Sequence, residues 1–459
     1  MRRKAAYLTL IQKLHALVWS RTALDVDLVQ SGAWNLAMRL GGMFASLLLG
    51  VVLARYMGPS GFGLYGIFIS LALILSVAGR LGFPDLATRE IAVAVHRQQW
   101  TLAKGVLHWF GRAVLLLSML IATVFMVGIL LWTQDPRSLW SGHAIWAAAL
   151  IPMFALGALV GAELRGLDHL VAGQSLDSFV RPALTCALCV GAILIWQIMT
   201  PAMALGLSAI ASALTLGLGL LWLRRWMPRR LREARPERHG RRWGKSSLML
   251  GAVDGLRQLD ANLGLIILGA LSQPLQAGYM RVALSALVFV VLPQTVVHLV
   301  ASPTLARLGV AADRERLQQI LLRSSFILFA VTLAFLIVLV VAGQPLIRLL
   351  FGMPYEPGWL PLLLLATAQL VNAAFGLGWI LMIMAGGERQ LGQFYAIAVP
   401  AGMAAGIPLA ISYGATGAAL AAILSALVQN LLVWRYVRTH YSVDCSVLAA
   451  FSRDFPLRN

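Results

Sequence analysis

Five ionisable side chains stand out within the long apolar stretches of this chain, where a charge is costly and could do chemistry. They are Arg39, Asp254, Arg257, Asp260 and Arg281. A charge near the middle of a membrane helix costs about 3 kcal/mol on insertion scales, so it normally faces a partner charge, a ligand or a wet cavity. Guanidinium pairs with phosphate oxygens through two parallel hydrogen bonds and keeps its proton. The arginines therefore predict a site for an anionic group.

Three of these residues admit two interpretations. Asp254, Arg257 and Asp260 stand three residues apart along one side of a predicted helix. They form either a local ion-pair ladder, in which both aspartates neutralise Arg257, or a set of charges that lines a cavity. Arg39 and Arg281 have no acidic neighbour in their own apolar segments, so each needs a partner elsewhere or an anionic ligand. All five are therefore candidate substrate-binding residues.

The composition places these residues in a membrane. Of 459 residues, 59% are apolar and 12% are charged, whereas a soluble domain carries about a quarter charged residues. The mean hydropathy is +0.80. We expect an all-α integral membrane protein whose apolar runs give twelve transmembrane helices in two six-helix lobes. The expected helices are 33–55, 62–82, 108–132, 143–163, 178–199, 202–223, 248–271, 277–300, 324–343, 359–385, 391–412 and 414–437.

The basic residues predict the orientation of these helices. The net charge is +19, from 37 Lys and Arg against 18 Asp and Glu. If the N-terminus is cytoplasmic, 27 basic residues fall in cytoplasmic segments and only Arg137 and Arg348 fall outside. The positive-inside rule then predicts that both termini are cytoplasmic. Because the charge is explained by topology and by membrane lipids as partners, no nucleic-acid partner is needed.

The chain divides into five predicted segments. They are a cytoplasmic amphipathic N-terminal segment (1–32), an N-terminal lobe (33–223), a basic cytoplasmic linker (224–247), a C-terminal lobe (248–437) and a cytoplasmic tail (438–459). The linker holds ten basic residues and two prolines, which favours a solvated tether. Two connectors, Leu86 to Lys104 and Ala311 to Arg323, mix charged and apolar residues at helical spacing and predict helices on the cytoplasmic surface.

A shift of 215 residues aligns the two halves of the chain. It sets Pro59 and Gly63 against Pro274 and Gly278. The alignment favours a parallel repeat of the two lobes. It also sets Arg39 opposite Asp254, which suggests that these two charges pair across a central cleft.

Other residues have structural interpretations. Cys186 and Cys189 lie one turn apart in an apolar run and, with Cys445, are too few for a disulfide framework, so core packing is favoured over a metal or redox site. Arg80 stands near a predicted helix end, where its side chain can reach the headgroups. No ATP-binding G-x-x-x-x-G-K-[ST] signature occurs, and no cofactor is expected.

Three stretches carry a family resemblance. They are LLLGVVLARYMGPSGFGLYGIFISLALILSVAGRLGFPDLATREIA (47–92), ASPTLARLGVAADRERLQQILLRSS (301–325) and LLFGMPYEPGWLPLLLLATAQLVNAAFGLGWILMIMAGGERQLGQ (349–393). The chain resembles the Wzx-type polysaccharide-transport flippases of the multidrug/oligosaccharidyl-lipid/polysaccharide (MOP) exporter superfamily. The resemblance implies a V-shaped pair of lobes in the bacterial inner membrane. These would move a lipid-linked oligosaccharide from the cytoplasmic to the outer leaflet for surface polysaccharide or lipopolysaccharide assembly, with other glycan-assembly membrane proteins as candidate partners.

Two alternatives stay open. A membrane glycan polymerase or ligase would be an enzyme and would need a substantial outer loop with acid, base or Arg groups. The longest predicted outer connections, 133–142 and 344–358, are short. A cation-coupled drug exporter of the same superfamily would favour a buried carboxylate in the N-terminal lobe, yet the first three predicted helices hold no Asp or Glu. We therefore expect a transporter and not an enzyme.

Overall fold

The computed structural model describes the backbone of residues 26–133, 139–237, 240–308 and 314–450, and within these ranges the secondary structure is helical. Most of the predicted N-terminal amphipathic segment and the end of the tail lie outside the described residues. The connections between helices within these ranges are short turns, so long apolar helices form almost the whole described chain.

The N-terminal half is built of eight helices and a π-helical turn. The helices are α1 (Val26–Arg80), α2 (Phe83–His96), α3 (Trp100–Thr133), α4 (Leu139–Gly166), α5 (Leu170–Ser175), α6 (Arg181–Trp196), α7 (Pro201–Trp226) and α8 (Arg229–Glu233), and the π-turn (Leu176–Val180) joins α5 to α6. Within α1, Gly58 has a φ of 68°. This left-handed conformation suits glycine and divides α1 into a first arm before Gly58 and a second arm after it.

The C-terminal half repeats the pattern with more interruptions. Its helices are α9 (Gly240–Ala261), α10 (Leu263–Ala270), α11 (Pro274–Ala286), α12 (Val288–Leu308), α13 (Arg314–Phe351), α14 (Trp359–Phe375), α15 (Gly378–Met384), α16 (Glu388–Tyr413), α17 (Ala415–His440) and α18 (Val447–Ala450). A 3₁₀ turn (Met353–Gly358) precedes α14. We call the side of the bundle that carries residues 224–247 the linker side and the opposite side the far side.

Ten helices in the described ranges are long and apolar enough to cross a membrane, against twelve expected helices. Two physical reasons account for the difference. The first two expected helices run together as α1 because the turn at Gly58 is so tight. The expected helix 248–271 is divided between α9 and α10, and α9 is too polar to count because it carries Asp254, Arg257 and Asp260 together with basic residues at its start.

The two halves meet on the far side in a reciprocal contact. A Cβ atom on Gly63 would lie 1.8 Å from the carbonyl oxygen of Pro274, and one on Gly278 would lie 2.0 Å from that of Pro59. These are the residues that the 215-residue shift aligns. The contact thus supports the predicted repeat, and it shows that backbones approach here as only glycine allows.

Most described side chains of the linker are exposed, as in a solvated tether, but two of its apolar side chains are buried. Leu231 of α8 is fully buried and Trp243 is 2% exposed. The Trp243 ring packs against Trp109 at 5.9 Å and Phe110 at 5.4 Å between centroids. In addition, Lys104 Nζ donates to the carbonyl oxygen of Arg232 at 2.7 Å. The linker is therefore docked on the N-terminal lobe at these points, because Leu231 and Trp243 pack against apolar and aromatic side chains of that lobe.

One of the two predicted surface helices is present and one is not. Helix α2 buries Leu86 and Ile91 and carries charged residues on its other face, as expected for a surface helix. In contrast, the described residues 314–323 are the first turns of α13 and continue into the membrane-length part of that helix. Leu317 and Leu321 are buried, and the first proline of α13 is Pro345, so nothing breaks the helix at the expected boundary.

The cysteines pack in the core. Cys186, Cys189 and Cys445 are all free and buried, and the burial of Cys186 and Cys189 agrees with the core packing that their apolar run predicted. The described residues hold no group of three or more His, Cys, Asp or Glu side chains that could bind a metal ion.

Candidate functional site

A cavity of about 590 Å³ lies between the two halves of the chain. Its walls come from the first arm of α1, from the segment α5 to α6, and from α11 and α12. Four ionisable residues line it: Arg39, Asp177, Arg181 and Arg281. We call it the cationic cavity, because three guanidinium groups and one carboxylate give a net formal charge of +2.

Arg39 is held by an amide and not by a carboxylate. In the amide orientation that satisfies its neighbours, the side-chain oxygen of Gln174 accepts hydrogen bonds from Nε (2.7 Å) and Nη2 of Arg39. The Gln174 nitrogen then donates to Oδ1 of Asn35 at 3.1 Å. The neutral amide fixes the guanidinium against the cavity wall, and in the described part of the chain no acidic side chain forms a salt bridge with it. Its positive charge stays available to an anion.

Arg181 was not singled out from the sequence. It begins α6, and its Nη2 lies 3.7 Å from Oδ1 of Asp177 one turn earlier, while its Cζ lies 4.5 Å from the centroid of the Phe154 ring. The long ion-pair distance leaves much of the charge uncompensated. An Asp and an Arg at i and i+4, directly before Pro182 at the start of an apolar run, were the available signal.

Arg281 is the least satisfied of the three cations. Its Nε is buried and has no hydrogen-bond partner among the described residues. Its aliphatic stem packs on Gly66, where an added Cβ would lie 3.1 Å from Cγ and Cδ, and its Cζ lies 6.0 Å from the Tyr65 ring centroid. Leaving a buried donor unpaired costs about 1–3 kcal/mol. An oxyanion in the cavity would relieve that cost.

The cationic cavity continues into the N-terminal half. A smaller cavity of about 190 Å³ shares Ser46, Arg181, Pro182 and Arg281 with it and reaches Tyr65 and other residues of that half. Two of the three arginines thus stand where the two spaces join. The arrangement can bind a multiply charged oxyanion at the lobe interface.

The other predicted site residues lie in a separate network on α9. Asp254 accepts from Nη2 of Arg80 at 2.7 Å and from Nη2 of Arg257 at 2.8 Å. Asp260 does not complete the ion-pair ladder, because its Oδ1 accepts from the Ser425 hydroxyl at 2.5 Å. Arg80 therefore pairs with Asp254 across the two halves and is not merely a headgroup anchor. We call Arg80, Asp254 and Arg257 the linker-side triad.

The suggested pairing of Arg39 with Asp254 is not formed in this conformation. Both oxygens of Asp254 are occupied by the other two members of the linker-side triad, and Arg39 contacts Gln174 instead. None of Asp254, Arg257 and Asp260 is among the described lining residues of the cationic cavity. Their part in substrate binding stays a prediction.

A surface carboxyl group lies near the linker-side triad. Asp85, on α2, is exposed, but the groups packed around it partly desolvate its carboxyl, and this together with the nearby charge of Asp254 raises its pKa above the ordinary value. Close by, the Gly82 N–H donates to the carbonyl oxygen of Ser247 at 2.9 Å. The second arm of α1 and α9 are therefore joined on the linker side by a backbone contact as well as by charge.

Long apolar helices, two related halves and a charged cavity between them are the architecture of a multi-pass membrane protein. Among solved structures of similar fold is the inward-facing conformation of a multidrug resistance MATE family transporter of the MOP superfamily, with TM-score 0.67, 15% identity, and coverage of 90% of this chain and 98% of that one. The MATE multidrug transporter DinF-BH, solved in a complex, is similar with a TM-score of 0.65 and 16% identity, over 90% of this chain and 97% of that one. A MOP superfamily transporter from Pyrococcus furiosus is similar with a TM-score of 0.58 and 14% identity, over 90% of this chain and 95% of that one.

The sequence identifies the family. A family model described as "Polysaccharide biosynthesis protein" matches residues 28–309. Since this is more than half of the chain, the protein belongs to that family. No curated protein sequence matches the chain.

Proposed function

We propose that the protein flips a lipid-linked oligosaccharide, carried on a polyprenyl diphosphate, from the cytoplasmic to the outer leaflet of the bacterial inner membrane. The observation that carries this proposal is the cationic cavity between the two halves. A diphosphate is a multiply charged oxyanion, and it must cross a region of low dielectric. Arg39, Arg181 and Arg281 offer it hydrogen bonds that replace those of water. The family description supports a role in polysaccharide assembly.

The far-side contacts between the halves favour loading from the linker side, beside the edge that the linker-side triad and the Gly82–Ser247 hydrogen bond hold closed. The halves touch closely on the far side, where Gly63 and Gly278 meet the opposite half and the Tyr355 hydroxyl donates to the Ala54 carbonyl oxygen at 2.8 Å. The cationic cavity begins beyond these contacts and extends toward Arg39 near the linker side of α1. With the linker in the cytoplasm, the cavity is placed to receive a substrate made there.

Transport then requires the halves to rock against each other. The far-side glycine contact must open while the cavity closes from the linker side. The linker-side triad stabilises the closed edge between the second arm of α1 and α9, and Asp260 is held in place by Ser425. Arg257, whose side chain is 63% exposed, can contact the diphosphate as it enters while Asp254 restrains it.

Export of cationic drugs is the second candidate, because MATE multidrug transporters share the fold. The charge of the cavity disfavours it, since three guanidinium groups would repel a lipophilic cation. For the Pyrococcus furiosus transporter, a reverse polarity of the binding pocket suggests a different function. The same kind of argument favours an anionic substrate here.

The test is the leaflet on which the substrate accumulates in a strain that lacks the gene. We expect the undecorated lipid-linked glycan to build up on the cytoplasmic leaflet, and the wild-type gene to restore export. An Arg39→Ala and Arg281→Ala double variant, present at normal abundance, should not restore it. If the glycan reaches the outer leaflet in the deletion strain at the normal rate, the proposal is wrong.

The orientation needs its own test. Cys445 is a poor probe, because it is buried and burial raises the pKa of its thiol to about 12, so little reactive thiolate forms. Ser442→Cys on the linker side and Gln197→Cys on the far side are exposed positions. In intact cells an impermeant thiol reagent should label Gln197→Cys and spare Ser442→Cys until the cells are permeabilised. The reverse pattern would contradict the proposed topology.

A further inference from the structure

A second cavity, of about 610 Å³, lies on the other face of the seam between α1 and the α5–α6 segment. Its volume is within the range of about 300–1,000 Å³ typical of small-molecule sites. We call it the apolar groove and define it by six of its lining residues: Trp34, Met38, Val171, Phe179, Val180 and Trp222. Trp34 is 56% exposed, so the groove is open along one side.

The two cavities share one wall, whose guanidinium groups face the cationic cavity and whose Trp and Phe side chains face the groove, although Asp168, His169 and Ser175 also line the groove. On α1, Arg39 and Gly42 face the cationic cavity while Trp34 and Met38 face the groove. On the α5–α6 segment, Gln174, Asp177 and Arg181 face the cationic cavity, whereas Val171, Phe179 and Val180 face the groove. A site for an anion and a site for an apolar chain therefore lie back to back.

The seam itself is closed by close packing. A Cβ atom on Gly42 would lie 1.5 Å from the Ser178 carbonyl oxygen, and one on Gly41 would lie 3.0 Å from the Phe179 ring. Five residues of helix separate Trp34 from Arg39, about 7.5 Å along the axis at 1.5 Å per residue, and α1 continues past Trp34 to Val26. A ligand that spans the seam at this end would have its charged group at Arg39 and its apolar part against Trp34.

We propose that the apolar groove holds the isoprenoid chain of the lipid-linked substrate while the diphosphate occupies the cationic cavity. This inference rests on the proposed function and adds a binding site to it. The lining offers aromatic faces and aliphatic side chains that suit a chain of isoprene units. Among the described residues, no Lys or Arg lines the groove and Asp168 does, so the groove does not suit a free anionic headgroup.

The main effect of the apolar groove is to position the isoprenoid chain, and it adds little to the affinity for the substrate. Because the bilayer solvates an apolar chain as well as the protein does, burying the chain gives little free energy. A fixed chain instead keeps the diphosphate at Arg39 and the sugar directed into the cationic cavity. At the linker-side end, the ring of Trp226 lies 5.4 Å from that of Trp222 and 4.6 Å from that of His169. Such amphipathic rings are typical of the membrane interface.

The test locates the chain by photo-crosslinking on the full-length protein in lipid nanodiscs. The probe is a prenyl diphosphate of farnesyl length with a benzophenone at the end of its chain, and the control probe is the matching prenyl alcohol. We expect the diphosphate probe to label peptides that contain Trp34, Phe179 or Trp222 several-fold more than the alcohol does, because only the diphosphate anchors it at the cationic cavity.

Matched variants separate the groove from general lipid exposure. Ala172→Trp fills the groove and should give a several-fold loss of this labelling, and Val171→Phe is a milder change of the same kind. Ala113→Trp, in a separate cavity of about 390 Å³ beside α3, should leave it unchanged. Equal labelling by both probes, or labelling confined to α16 and α17, would overturn the inference. So would diphosphate-dependent labelling that appears only after residues 1–25 are removed, because the groove would then hold that segment.

Failure of the inference and failure of the proposed function can be told apart. If binding of the diphosphate probe does not depend on Arg39 and Arg281, the proposed function fails. If that binding depends on both arginines but the chain crosslinks elsewhere, only the assignment of the apolar groove fails.

Discussion

Replacing Arg281 by alanine should remove most of the affinity for a diphosphate and leave the protein folded. The guanidinium lines both adjoining cavities, and its buried Nε has no hydrogen-bond partner among the described residues. Hydrogen bonds to charged groups contribute about 1.5–3 kcal/mol. At 1.4 kcal/mol for each factor of ten, loss of this contact lowers the affinity about 10- to 150-fold.

The effect on folding should be small and can be separated from the effect on binding. Removing the side chain abolishes an unsatisfied buried donor, which offsets the lost packing of its stem against Gly66. We therefore expect a melting temperature close to that of the wild type. The affinity of Arg281→Lys for the diphosphate should lie between those of the wild type and Arg281→Ala, because lysine keeps the charge and lacks the planar guanidinium group.

The assay is binding of a short-chain prenyl diphosphate to purified protein, with membrane abundance measured alongside surface glycan in complemented cells. Arg348→Ala is the matched control, since that arginine is 55% exposed and lies on the far side beside Glu356. Wild-type affinity for the diphosphate in Arg281→Ala would refute the reasoning. A loss of export explained wholly by lower abundance would also refute it.

Three further predictions concern the contacts between the halves and the docking of the linker. Gly63→Ala should impair transport because its Cβ would meet a backbone carbonyl at 1.8 Å, whereas Gly128→Ala, which has open space around it, should be neutral in the same export assay. Arg80→Asp and Asp254→Arg should each lower export, and the double exchange should recover part of it if the 2.7 Å pair is a contact of the transport cycle. Trp243→Ala should lower the unfolding free energy by about 3–5 kcal/mol, as large core truncations do, and should increase protease cleavage in the linker; a protected linker in that variant would contradict the docking.

The positions of the helices were predictable because the bilayer requires long apolar runs. Each expected helix has a counterpart, although the boundaries moved where turns are tight or charges dense. The repeat was predictable from four turn residues, and the structure gives the reason. Gly63 and Gly278 occupy equivalent places in a reciprocal contact, so the same residue type is required in both halves.

The candidate site was only partly predictable. Arg39 and Arg281 stood out because their own helices offer no acidic partner, and the structure brings both to one cavity. Arg181 was not singled out, although Asp177 one turn before it and Pro182 directly after it were available signals. The pairing of Arg80 with Asp254 spans 174 residues of sequence, so no local sequence pattern predicts it. The docking of the linker did have a signal, namely Trp243 within a basic run, which charge counting alone obscured.

The most direct test of the central claim is translocation in proteoliposomes that contain only the purified protein. The substrate is a fluorescent oligosaccharide on polyprenyl diphosphate, and the readout is the fraction protected from a membrane-impermeant quencher over time. We predict that the wild-type protein speeds exchange between leaflets, and that a variant with Arg39, Arg181 and Arg281 all replaced by alanine does not. Equal rates in the wild type, the triple variant and empty vesicles would contradict the account.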